Sequence, residues 1–68
     1  MSVAKVEEIS AISTKSFEDA INLGIARATK TLRNVKGAWV KEQYIRLDDS
    51  GKVSEDQVNL KVTFLLEH

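Results

Sequence analysis

The sequence predicts an α+β fold of order β-α-β-β, a three-stranded antiparallel sheet packed on one long amphipathic helix. Three observations carry that prediction. Phe17, Ile21, Gly24/Ile25, Ala28 and Leu32 recur at steps of three and four, the period of a helix with one apolar face. Val58, Leu60, Val62, Phe64 and Leu66 alternate with Asn59, Lys61, Thr63 and Glu67, the period of a half-buried strand. Between them, Asp48-Asp49-Ser50-Gly51-Lys52 is a dense turn signal.

Taken in order, Val3 to Ile12 reads as a strand, although Val6-Glu7-Glu8-Ile9 also suits a helical turn. Ser13 is a good helix N-cap, and Glu18 and Asp19 follow where the helix dipole favours acids. The helix is expected to run about 20 residues, ~30 Å. It should end near Asn34, with Arg33 and Lys36 at the negative end of the dipole and Gly37 as its stop. Ala38 to Leu47 reads as a second strand whose apolar parity changes midway, because Ala38 and Val40 fall on one face and Ile45 and Leu47 on the other. Such a change marks either a bulge or a passage from one packing environment to another. The helix returns the chain to start the second strand parallel to the first, and the turn then reverses it. Placing the third strand between the other two makes every pair antiparallel. One sheet face lies under the helix; the other is left uncovered.

Residues 1–68 form a single domain, since 68 residues leave no room for a second core. A core of this size seldom supplies more than about 3–5 kcal/mol without an added staple. Cysteine is absent and the sole histidine is the last residue, His68, so neither disulfides nor a His/Cys metal site can form within the chain. Self-association is the remaining source of buried apolar area. The formal net charge of zero argues against a nucleic-acid partner, which would favour a basic surface. No stretch approaches the ~20 apolar residues of a membrane span. The N-terminus carries Glu7 and Glu8 where a secretory leader would be apolar, and a cytoplasmic protein is the expectation.

Catalytic chemistry has no residue set behind it, and no enzyme is expected. A Ser/His/Asp or Cys/His arrangement cannot be built, and His68 reads as a chain end. Glu7/Glu8, Glu18/Asp19, Asp48/Asp49 and Glu55/Asp56 are sequence neighbours, and neighbours on a strand point to opposite faces. They read as solvating charges. Setting Gly51 at the invariant glycine of a calcium-binding EF-hand loop puts Arg46 and Gln57 at the first and last ligand positions, where acids are needed. That motif fails, and no metal ligands are assigned. Lys15, Arg27, Lys30, Arg33 and Lys36 give the helix a basic side, read as a solvated face. Trp39 differs from these. With Ala38 and Val40 facing the helix, Trp39 should point from the uncovered sheet face, where burial against another subunit or stacking on a planar ligand would cover the indole.

Ser16-Phe17-Glu18-Asp19-Ala20-Ile21, the run Ile25 to Val35, Val40-Lys41-Glu42 and Gln57-Val58-Asn59-Leu60-Lys61-Val62-Thr63-Phe64 together resemble the dodecin family across essentially the whole chain. The resemblance implies a hollow homododecamer with its helices outside, and in flavin-binding members a cofactor store in which flavins sit at subunit interfaces. There the flavin ring stacks on a tryptophan just after the helix, and a glutamine early in the last strand hydrogen-bonds its polar edge. Gln57 matches that glutamine. The aromatic position falls at Gly37, and the tryptophan comes two residues later, at Trp39; two residues keep the same strand face but move the side chain ~6.6 Å. Trp39 and Gln57 are therefore the candidate flavin-binding residues, for riboflavin or FMN. The alternative is a flavin-free shell that uses Trp39 as interface packing and binds ions or another small ligand.

Overall fold

The computed structural model describes residues 2–66; His68 lies outside them. Strand β1 (Ala4–Ser13), helix α1 (Phe17–Thr31), strand β2 (Val35–Leu47) and strand β3 (Val53–Leu65) follow in the expected β-α-β-β order. The sheet order is β1-β3-β2, and β3 pairs antiparallel with both neighbours. The strand with the most regular alternation thus occupies the centre, and its Val58, Leu60 and Val62 are fully buried.

Both ends of the helix differ from the sequence expectation. Ser16, not Ser13, is the N-cap, and its hydroxyl oxygen accepts the Asp19 backbone N–H at 2.9 Å. Ser13 closes β1 and organises the connection. Its buried hydroxyl donates to Asp19 Oδ2 at 2.6 Å and accepts from the Lys15 N–H at 2.9 Å. Periodicity does not separate two serines three residues apart; the strand pairing of Ser13 with Asp56 does. The helix has 15 residues, hence a length of about 22 Å rather than ~30 Å. It stops at Leu32, whose backbone is extended at φ −106° and ψ 140° and whose N–H donates to the Ala28 carbonyl; beyond the helix, Asn34 adopts the left-handed conformation at φ 61°, which asparagine tolerates better than most residues. Gly37 is not the stop and lies inside β2. Replacing Ser16 by alanine is expected to cost about 1 kcal/mol, the usual loss for a cap, in chemical denaturation followed by circular dichroism.

Gly24 sets the helix close to the sheet. A Cβ there would lie 2.9 Å from Leu60 Cδ1 and 3.2 Å from Ala11 Cβ, so glycine permits the approach. The helix covers β1 and β3 and barely reaches β2. Ala20, Ala28, Val58, Leu60 and Val62 form the buried centre, with Ile9, Phe17, Ile21 and Ile25 packed around it. Phe64 is only half-buried, and Leu66, just past the end of β3, is exposed; both border a hollow beside Thr31 and Leu32 at the end of the helix.

The parity change in the second strand is a bulge. The β2–β3 register shifts between Val40 and Glu42, leaving Lys41 as the extra residue. Ala38 and Val40 pair with Val62 and Leu60, and beyond the bulge Gln43 and Ile45 pair with Val58 and Asp56, so all four lie on the helix side. The register also shifts between Val35 and Gly37 and between Arg46 and Leu47, the latter carrying Leu47 opposite Val53. β1 ends where Ser13 pairs with Asp56, so the β2–β3 hairpin beyond Ile45 projects as an arm past both β1 and the start of the helix. The molecule extends 53 × 18 × 14 Å, and its radius of gyration is 14.0 Å. A compact chain of this length would have a radius of about 11 Å.

Candidate functional site

The sheet face away from the helix is the only broad surface that combines aromatic rings with fixed polar groups among the described residues. Pairing assigns its members. Gly37 sits opposite Thr63, Trp39 opposite Lys61, Glu42 opposite Asn59, Tyr44 opposite Gln57 and Arg46 opposite Glu55. From β1, Glu8, Ser10 and Ile12 face Lys61, Asn59 and Gln57. Trp39 therefore points away from the helix, as its neighbours require, and 61% of it is exposed.

Ser10, Glu42, Arg46, Glu55, Gln57 and Asn59 are tied into one network on this face. Asn59 stands at its centre: Oδ1 accepts from Ser10 Oγ at 2.7 Å and from Gln57 Nε2 at 3.2 Å, and Nδ2 donates to Glu42 Oε1 at 3.0 Å. Arg46 donates to Gln57 Oε1 at 3.1 Å, approaches Glu55 at 3.6 Å and lies over the Tyr44 ring at 5.8 Å. The bulge residue Lys41 reaches across β3 to Glu8 at 3.1 Å. This exposed pair adds little stability but places a cation beside Trp39. Gln57 keeps one amide hydrogen and one carbonyl lone pair unspent, because each end of its amide makes a single bond here. An adjacent donor and acceptor match a ligand edge that offers an acceptor beside a donor, as an imide does.

Trp39 and Gln57 share this face but not one location. Gln57 lies four residues along β3 from Lys61, the partner of Trp39, a separation of about 13 Å. A ring stacked on Trp39 is thus remote from Gln57 of the same chain. The aromatic beside Gln57 is Tyr44, 58% exposed, which the sequence reading did not single out. Its signal was hidden by the Lys41 bulge, which moves Tyr44 onto the Trp39 face although the two are five positions apart. Gly37 is bare: a Cβ there would meet nothing within 4 Å.

The turn at the tip of the arm is self-satisfied. Asp48 Oδ1 accepts from the Ser50 hydroxyl at 2.6 Å, the Ser50 N–H at 2.9 Å and the Lys52 N–H at 3.0 Å. The Ser50 hydroxyl, then the Lys52 N–H, hold the Asp48 carboxyl below the usual carboxylate range. Their contribution is present above that range and is lost as pH falls through the lowered value. Among the described residues no group of three or more His, Cys, Asp or Glu side chains is placed to hold a metal ion, and no helix is long and apolar enough to cross a membrane.

The dodecin family model matches residues 3–67. The chain belongs to the dodecin family. A variant of the Thermus thermophilus dodecin is 40% identical, with all of both chains covered and a TM-score of 0.91. The dodecin of Streptomyces davaonensis is 34% identical over 98% of this chain and 97% of that one, also at 0.91. A calcium dodecin of Mycobacterium tuberculosis, described as calcium-chelating, is 31% identical over 96% and 91% of the two chains, at 0.82. No curated protein sequence matches significantly. Dodecins are small ligand-binding proteins that self-assemble, and this chain has their fold throughout.

Proposed function

We propose that this dodecin is a cytoplasmic flavin-binding and storage protein, a homododecamer that holds riboflavin or FMN on its uncovered sheet faces without turning it over. One observation carries the reading: Trp39 presents a largely exposed indole on the same face as Gln57, whose amide retains an open donor and acceptor. Because about 13 Å of strand separates them within a chain, the ring stacks on Trp39 of one copy while Gln57 of another reads its polar edge. Lys61 and Lys41 beside the indole suit an anionic tail such as a phosphate.

Titration of the assembly with riboflavin, followed by quenching of flavin fluorescence, tests this. Stacking of a base-sized ring contributes about 1–3 kcal/mol. A platform displaced from the family position falls at the lower end, so Trp39→Ala should weaken binding about fivefold. Gln57→Ala should weaken it as well. A flavin-free shell, with Trp39 packed between copies, is favoured by the bare Gly37. Under that reading Trp39→Ala loosens the assembly and leaves riboflavin titration unchanged.

A further inference from the structure

The oxygen and nitrogen ends of an amide are alike in shape and opposite in hydrogen-bonding sense, so what Gln57 recognises depends on which way its amide is turned. That orientation is set from both ends of a chain of side chains on the uncovered sheet face. At one end stands Glu42, whose carboxylate only accepts; it takes a hydrogen bond from Asn59 Nδ2 at 3.0 Å. Asn59 Oδ1 therefore faces the other way, accepting from Gln57 Nε2 at 3.2 Å and from the Ser10 hydroxyl at 2.7 Å. Gln57 Oε1 is left facing the opposite end, where Arg46 donates to it at 3.1 Å. A guanidinium only donates. Arg46 is itself held, by Glu55 at 3.6 Å and over the Tyr44 ring at 5.8 Å. Turning Gln57 alone would set oxygen against oxygen at Asn59 and N–H against N–H at Arg46. Turning Asn59 with it moves the first of these conflicts to Glu42 and leaves the second in place.

We infer that Glu42 and Arg46 are positioning residues that fix the hydrogen-bond polarity of Gln57, and so make the site specific for a planar ring whose edge carries an N–H donor beside a carbonyl. The inference rests on the flavin reading and names the chemical feature that is selected. Gln57 presents its acceptor towards the arm and its donor towards Asn59, so the ligand N–H lies on the arm side and its carbonyl on the Asn59 side. The imide edge of a flavin offers that pair. Methylation of the imide nitrogen removes the donor and sets a methyl group against a carbonyl oxygen that Arg46 prevents from turning away. Either ion alone makes the two orientations of the Gln57–Asn59 pair unequal. Only with both gone do the two amides reverse together without loss.

Riboflavin and N3-methylriboflavin, each titrated into the assembled protein by fluorescence quenching, test this. Glu42 and Arg46 are both exposed, so their replacement leaves the core untouched. The native assembly should prefer riboflavin by about thirtyfold, the effect of one hydrogen bond lost and its acceptor left unpaired. Glu42→Met or Arg46→Met alone should keep that preference above about tenfold, whereas the double variant should drop it below about threefold. Arg46→Lys combined with Glu42→Met restores a donor at one end and should return the preference above about tenfold. A purely structural role would weaken both ligands alike and leave the ratio unmoved. Riboflavin binding with the same ratio in the native and double-variant assemblies, or with no discrimination by the native one, overturns the inference alone. No riboflavin binding by the native assembly overturns the flavin reading and this inference with it.

Discussion

Leu60→Ala is expected to destabilise the protein by about 2–5 kcal/mol, the range for removing a large aliphatic side chain from a closed core. Leu60 is fully buried at the middle of the central strand, between Ile9 of β1 and Val40 of β2. Its Cδ1 lies where any side chain at Gly24 would clash, so truncation empties the closest point of contact between helix and sheet. Relaxation into that space is limited by the backbones on both sides. Leu66→Ala, by comparison, changes a side chain that is 44% exposed and should cost under about 1 kcal/mol. Urea denaturation of both variants, with assembly state checked at each concentration, measures the difference. Equal losses would mean that the helix does not cover the sheet centre as described.

The second large effect concerns aromatic register. Gly37 and Trp39 lie on the same sheet face, opposite Thr63 and Lys61, and open space surrounds the position of a Cβ at Gly37. The double change Gly37→Trp with Trp39→Glu therefore moves the indole to the family position without a steric obstacle in its own chain. Passing from the lower to the upper end of the stacking range amounts to about 2 kcal/mol. Riboflavin affinity should rise roughly thirtyfold, since each 1.4 kcal/mol is tenfold. Fluorescence titration of the double variant against the native assembly reads this gain. Weaker binding by the double variant would make Trp39 the stacking residue in its present place and would remove the register argument.

Fold order, strand placement and the facing of Trp39 were legible because they follow from periodicity and chain reversal. β3 had to be central, being apolar on one face and flanked by a tight turn. Lys41 was legible only as a change of parity: sequence marks the change, whereas pairing with Leu60 and Asn59 shows that it is a bulge and which residue it is. The N-cap was misplaced because Ser13 and Ser16 have the same local chemistry. Only the pairing of Ser13 with Asp56 assigns it to the strand. Helix length was overstated for a related reason, as Leu32 continues the apolar period although its backbone is already extended. At the candidate site, Trp39 and Gln57 were legible as types and faces. Their separation along β3, the position of Tyr44 beside Gln57, and the bonds through Asn59 and Arg46 depend on cross-strand register, which no local pattern encodes.

The central claim is that this small, extended chain is one subunit of a closed flavin-binding shell. Native mass spectrometry at low micromolar concentration, with riboflavin added, tests it most directly, because it weighs the assembly and its ligands together. With subunits of 7.6 kDa, the expected spectrum is dominated by twelve copies, with added mass in multiples of riboflavin that diminishes in Trp39→Ala. A spectrum dominated by monomer or dimer, or a dodecamer that takes up no riboflavin at saturating concentration, would contradict the claim.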